Sequence, residues 1–168
     1  IKECGFKNVL DVGAGNAQFG NVLLKNYPNS EYDAVEPDLE ISKQWGDWVT
    51  DRFESIDNLN DKTYALVILN QVLEHVNNPI SFIASICSVI NNNGYLYIDV
   101  PYKDYLFKPS VEPHLLFWNP KSLTFLIEKV GLKLIFCDTA GMPHEQAKQF
   151  FNRRTLVDKI LNPWLYAN

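Results

Sequence analysis

Clustered basic residues are scarce in this sequence. Fifteen Lys and Arg stand against twenty Asp and Glu, the formal net charge is -5, and Arg153-Arg154 is the notable basic pair. A chain that grips a nucleic-acid backbone gathers Lys and Arg on one face, so this balance argues against nucleic acid as a partner. Cysteine is sparse as well. Cys4, Cys87 and Cys137 are widely spaced, each lies in or beside an apolar run, and none forms a zinc-type pair. Reduced, buried thiols in a cytoplasmic protein are the expectation. No apolar stretch reaches the roughly 18–20 residues that cross a bilayer, and Ile1-Lys2-Glu3-Cys4-Gly5 does not resemble a secretory signal. The three histidines, His75, His114 and His144, lack tight ligand spacing, so no metal site is expected. Internal repeats and disordered linkers are absent too. Because the sequence opens on Ile1 rather than Met, an N-terminal segment of the full protein is expected to precede it.

What remains is an ordinary globular composition, 46% hydrophobic and 21% charged over 168 residues, which predicts one folded domain spanning 1–168. Short apolar runs alternate with helical periodicities. The runs Asn8–Val12, Glu31–Glu36, Asp47–Asp51, Tyr64–Leu69, Gly94–Val100 and Leu132–Cys137 read as strands. Between them, Phe19, Val22 and Leu23 follow Asn16, a predicted N-cap, and Tyr27-Pro28 closes that helix. Ile80, Ile83, Ala84, Cys87 and Ile90 form a stripe opened by Asn78-Pro79 and stopped by Asn91-Asn92-Asn93-Gly94. Asn119-Pro120 opens a third helix, with Leu123, Leu126, Ile127 and Val130 on one face and Gly131 at its end. This alternation predicts an α/β fold, a Rossmann-like, doubly wound and mostly parallel sheet. Residues 101–118 are aromatic and aperiodic, as binding loops often are. In the tail, Phe150, Arg154, Val157 and Leu161 suggest a weakly amphipathic helix.

One segment points to a ligand. Val9-Leu10-Asp11-Val12-Gly13-Ala14-Gly15-Asn16 sets a strand, a small-residue turn and a helix start in succession, and glycines there let a ligand approach the backbone. A dinucleotide fingerprint G-x-G-x-x-G would need glycine where Gln18 stands. Asp11, two residues before Gly13, would repel a pyrophosphate but suits a cationic amino-acid moiety. Glu36, at the end of the second strand, is spaced to accept hydrogen bonds from ribose hydroxyls. Adenosine joined to a cationic amino acid describes S-adenosylmethionine, with S-adenosylhomocysteine as its product. A nicotinamide oxidoreductase is disfavoured by Gln18.

These residues resemble the class I S-adenosylmethionine-dependent methyltransferases, and among them the group with a Leu-Glu-His-Val motif after strand 4. Asp11-Val12-Gly13-Ala14-Gly15 is similar to the family's first motif, Val35-Glu36-Pro37-Asp38 to its second, and Asn70-Gln71-Val72-Leu73-Glu74-His75-Val76 to its fourth. Ile98-Asp99-Val100-Pro101, His114, Phe117 and Ser122-Leu123 resemble the downstream pattern, so the likeness runs from Val9 to about Cys137. The resemblance implies that Asp11, Gly13 and Gly15 line the methionine and ribose side and that Glu36 binds the ribose hydroxyls. It further implies that Pro37 flanks the adenine, that Phe53 contacts it, and that Asn70 and Gln71 face the sulfonium. Three departures stand out: Arg52 where an acid is common, Ala17 where many relatives carry a third glycine, and no obvious seventh strand after Cys137.

The chemistry at the acceptor is less defined. His114, in the loop after strand 5, is a candidate general base for a hydroxyl acceptor, or else a histidine fixing that loop by hydrogen bonding. Asp99 is an alternative base or a buried structural acid. Glu74 and His75 are adjacent on a helical turn, so at most one is expected to face the reaction centre. Tyr102, Tyr105, Phe107, Phe117 and Trp118 wall a substrate pocket or form a local core. The expected function is methyl transfer to a small-molecule acceptor, such as a sugar-linked molecule or a lipid precursor, with oxygen favoured as the accepting atom. The alternative is a cofactor-binding module that is inactive or depends on a partner.

Overall fold

A computed structural model of the chain describes residues 6–102 and 113–139. Its centre is a five-stranded sheet in the order β3-β2-β1-β4-β5, every pair parallel. The strands are β1 (Asn8–Val12), β2 (Glu31–Val35), β3 (Arg52–Phe53), β4 (Tyr64–Asn70) and β5 (Ile90–Asp99). Among the described residues four α-helices connect or follow them: α1 (Gln18–Asn26), α2 (Leu39–Ser42), α3 (Pro79–Ser88) and α4 (Pro120–Lys129). This is the Rossmann-like arrangement that the alternation of runs predicts. Chain order reverses between β1 and β4, and such switch points open a crevice beyond the strands' carboxyl ends.

Side-chain alternation assigns each strand residue to one of two cores. Leu10 and Val12 of β1, Val35 of β2 and Val67 and Leu69 of β4 meet Ile83 and Ile86 of α3 and Leu126 of α4 on one face. Val9, Tyr32, Ala34, Leu66 and Ile68 meet Phe19 and Leu23 of α1, with Trp45, on the other. Ile83 and Ile86 are fully buried, each worth about 1.5–3 kcal/mol relative to exposure. Of the predicted stripe, Ile83 is fully buried and Cys87 half-buried, but Ile80 and Ala84 are exposed; the packed face runs through Ile83 and Ile86 instead, because the helix turns that side to the sheet.

Two helix starts follow their sequence signals. Asn78 Oδ1 accepts from Ser81 N at 3.2 Å, and Asn119 and Ser122 form a reciprocal capping box at α4. Gly131 adopts φ 81 just past α4, and Leu132 N donates back to Ile127 O at 3.1 Å. At α1 the cap is Ala17 rather than Asn16, with a left-handed φ of 50 and no side-chain cap bond.

Other boundaries differ from the sequence reading. The third strand is Arg52–Phe53, not Asp47–Asp51. Thr50 N and Asp51 O do bond to β2, but Tyr32 N is taken by the Thr50 hydroxyl and Asp51 N by Asp33 Oδ1. Side chains thereby replace the ladder until Arg52. β5 begins at Ile90, which leaves the helix stripe, and Asn91–Gly94 is absorbed as an irregularity in register between Tyr64 and Leu66. Asn93 accommodates it with φ 65. The segment Leu132–Cys137 is not a strand. Among the described residues no strand edge pairs with it, and Ile135 and Phe136 stay exposed. The tail helix suggested by Phe150, Arg154, Val157 and Leu161 lies outside the described residues, as do Tyr105 and Phe107.

Candidate functional site

The turn after β1 is built from positive φ values at Gly13 (70) and Gly15 (52). A Cβ on Gly13 would meet Val72 Cγ2 at 2.6 Å, so glycine is required there by both backbone angle and space. Val35 O accepts from Gly13 N and Ala14 N at 2.9 and 3.1 Å. These bonds seat the turn on the end of β2, and the residue next along that strand is Glu36.

Glu36 is half-buried and ties three pieces of chain together. Its Oε2 accepts from Gly15 N at 2.9 Å, its Oε1 accepts from Asp38 N at 3.0 Å, and its own N donates to Phe53 O at 2.9 Å. Each carboxylate oxygen keeps a further lone pair for a ligand hydroxyl. Pro37 is exposed beside it, and Phe53, in register with Val35, stands at the same edge. Three predicted residues therefore converge there. Phe53 also packs against the core and receives Lys62 Nζ at 5.3 Å from its ring centroid.

Trp45 was not singled out by the sequence, yet it holds the turn. Its indole Nε1 donates to Gly15 O at 2.7 Å, and Arg52 Nη2 donates to the carbonyls of Trp45 and Gly46 at 3.1 and 2.9 Å. Arg52, which departs from the family pattern, thus secures the loop that carries Trp45. Trp45, with Trp48 three residues on in the same turn-rich stretch, carried no sequence signal for this.

Beneath the turn, Asp11 is 2% exposed. The Tyr32 hydroxyl donates to its Oδ2, while Oδ1 has no partner. Burial, with a smaller push from the Glu36 charge, raises the carboxyl to about 7 against the pull of the Tyr32 bond. An unpartnered buried carboxylate oxygen under a glycine turn, with a second carboxylate at the next strand's edge, fits a ligand carrying a positive charge and a ribose. S-adenosylmethionine meets both conditions.

On the other side of the switch point, Asn70 ends β4 directly opposite Asp99 of β5, and Gln71 N donates to Asp99 O at 2.8 Å. Gln71 holds a left-handed φ of 58, a strain of the kind that collects at sites. The 3-10 turn Leu73–His75 follows. Glu74 O accepts from Leu115 N and Leu116 N at 2.8 and 3.1 Å, and His75 Nδ1 lies 3.2 Å from Pro113 O. These bonds bring His114 against His75, ring centroids 5.0 Å apart. Glu74 and His75 therefore meet at one place, contrary to the expectation that adjacent residues diverge. The backbone winds tightly and Glu74 is only 1% exposed. One ligand-capable atom from each of Glu74, His75 and His114 lies within 4.8 Å of the others, a grouping that linear spacing concealed. Tyr102 and Phe117 are exposed, whereas Trp118 packs against the core and bridges to Tyr102.

Parallel order, switch-point turn and strand-end acid together define an α/β protein whose crevice at the strands' carboxyl ends suits a nucleoside-bearing cofactor. Residues 5–136 match a family described as a methyltransferase domain. The chain belongs to that family, and its fold is the Rossmann-like fold of class I S-adenosylmethionine-dependent methyltransferases. Ubiquinone biosynthesis O-methyltransferase of Rickettsia typhi is 33% identical over 123 residues, covering 68% of this chain and 50% of that protein. The protein of the same name from Rickettsia prowazekii is 30% identical over 125 residues, 68% of this chain and 49% of that one. The chain spans about half the length of these curated relatives. A SAM dependent methyltransferase from Archaeoglobus fulgidus superposes with a TM-score of 0.61 at 19% identity, over 96% of this chain and 80% of that one. The plantazolicin methyltransferase BamL, crystallised with a triazolic desmethylPZN analog and SAH, gives 0.63 at 14% identity, over 75% and 54% of the two chains. No helix among the described residues is long and apolar enough to cross a membrane.

Proposed function

We propose that this chain transfers the methyl group of S-adenosylmethionine to a hydroxyl oxygen of a small-molecule acceptor, in the manner of the methyltransferases bearing a Leu-Glu-His-Val motif. The observation that carries the reading is Glu36, whose carboxylate clamps Gly15 N and Asp38 N at the switch point and keeps lone pairs for ribose hydroxyls. The bound cofactor would supply a sulfonium as a ready leaving group, so the chain's share of the work is positioning. Asp11 offers its free Oδ1 to the cationic amino-acid end, Gly13 and Gly15 let that end approach the backbone, Pro37 and Phe53 flank the adenine, and Asn70 and Gln71 face the methionine. His114 and Asp99 stand on the acceptor side, where a hydroxyl has to lose its proton. Oxygen as the accepting atom is supported by relatives named O-methyltransferases. The net charge of -5 favours a small acceptor, sugar-linked or a lipid precursor, over a nucleic acid.

Calorimetry tests the donor half: S-adenosylhomocysteine should bind, NAD should not, and Glu36→Ala should weaken binding about ten- to hundredfold, the loss expected for charge-assisted hydrogen bonds. NAD binding, or unchanged affinity in the variant, would sink the donor assignment. Transfer of labelled methyl to a panel of hydroxylated acceptors tests the enzyme itself. Cofactor binding with no transfer to any acceptor would favour the alternative of an inactive or partner-dependent module.

A further inference from the structure

Glu74 poses a problem that the donor site does not solve. It is 1% exposed, and neither carboxylate oxygen has a hydrogen-bond partner. A buried carboxylate without a hydrogen bond is costly and calls for a compensating proton or cation. His75 indicates which. Pro113 O can only accept, so the proton of a neutral His75 ring resides on Nδ1, at 3.2 Å from that carbonyl. The lone pair of Nε2 is then free, and Nε2 lies 3.9 Å from Glu74 Oε1. Two acceptors face each other at a separation too long for a hydrogen bond and suited to a metal with bonds of about 2.0–2.2 Å to each. A ring nitrogen of His114 completes the set, all three donors lying within 4.8 Å of one another. Drawing in by about 1 Å would give the spacing of a tetrahedral site. A histidine whose second nitrogen donates to a backbone carbonyl is also the usual orienting device of a ligating imidazole.

We propose that Glu74, His75 and His114 bind one divalent cation of borderline character, Zn2+ or Mn2+ rather than Mg2+, with an open position for the acceptor's oxygen. Two imidazoles and one carboxylate suit such ions, whereas Mg2+ prefers oxygen throughout. Glu74 and His75 follow closely on Gln71, whose N donates to Asp99 O at 2.8 Å, so the cluster borders the acceptor side of the switch point. The identity of the oxygen ligand rests on the methyl-transfer reading; the cation site does not. An acceptor hydroxyl bound there would release its proton to water more readily. Its oxygen then forms the O–CH3 bond as the S–CH3 bond breaks, the bonding pair remains on sulfur, and the two opposite charges cancel. His114 serves in this scheme as a ligand and not as a free base.

The test is calorimetric titration of chelator-stripped protein with Zn2+, Mn2+ and Mg2+, alongside S-adenosylhomocysteine on the same preparation. One equivalent of Zn2+ or Mn2+ should bind more tightly than Mg2+. At a hundredfold excess over Kd it should raise the unfolding midpoint by about 5 °C. Glu74→Gln and His114→Ala should each weaken binding at least about thirtyfold while leaving S-adenosylhomocysteine affinity unchanged. Should either variant fail to fold, His75→Gln carries the same test, because that ring is 39% exposed. No saturable binding near one equivalent, or full affinity in the variants, overturns the cation site alone. Loss of S-adenosylhomocysteine binding by the unaltered protein would instead strike the donor assignment.

Discussion

Asp11, buried under the glycine turn with one carboxylate oxygen unpartnered, ties the stability of the fold to pH. In the unfolded chain its carboxyl titrates near ~3.9, and in the folded protein burial first, then the Glu36 charge, hold it at about 7. The folded state therefore carries an extra proton between the two values, so stability contributed by this group falls as pH rises through that window and is lost above pH 7. The expected contribution is at most about 4 kcal/mol. Denaturant midpoints at pH 5 and pH 8 should differ in the parent protein, and Asp11→Asn should flatten that slope; an equally steep slope in the variant would show that other groups set it. Asp11 and Glu36 were both legible in the sequence, because acid before a glycine turn and acid at the next strand's end are local patterns. Trp45 was not. Its bond to Gly15 O spans 30 positions, and nothing near Trp45 in the chain announces the contact.

At the scale of elements, α1 shows how a helix is shaped by the sheet beneath it. Gly20 lies in its interior, where alanine would be favoured by propensity by up to about 1 kcal/mol. A Cβ at Gly20, however, would lie 2.3 Å from the Tyr32 ring, and that ring must pass there to reach Asp11. Gly20→Ala should thus destabilise the protein by about 1–3 kcal/mol through overpacking, visible as a lowered urea midpoint; a raised midpoint would mean that Tyr32 yields easily. The Asn-Pro openings of α3 and α4 and the apolar face of α4 were readable, since caps and stripes are local, whereas the buried face of α3 and its end at Ser88 were set by the sheet it packs on. Strands at the sheet's margins were not. Arg52–Phe53 replaces Asp47–Asp51 because side chains of Thr50 and Asp33 occupy the ladder positions. Leu132–Cys137 has strand-like residues without a pairing edge among the described residues, and a strand exists only by virtue of its neighbour.

For the whole molecule, stability should grade outward from the switch point. β1 and β4 lie in the middle of the sheet with helices on both faces, so the amides of Val9–Val12 and Leu66–Leu69 should exchange with solvent only on global unfolding, and residues 132–137 fastest. Native-state hydrogen exchange reads this directly; equal protection across the sheet and that segment would refute the gradient. The sequence by itself determined the α/β class, the glycine turn with an acid before it and another at the end of the next strand, and the Asn-Pro caps of α3 and α4. Each is written in residues close together, where periodicity, backbone angle and charge act locally. Only the tertiary structure decided which strand margins pair, which tryptophan pins the turn, and that Glu74, His75 and His114 meet. Those outcomes depend on parallel crossovers that bring distant residues to one sheet edge, and no local pattern encodes them.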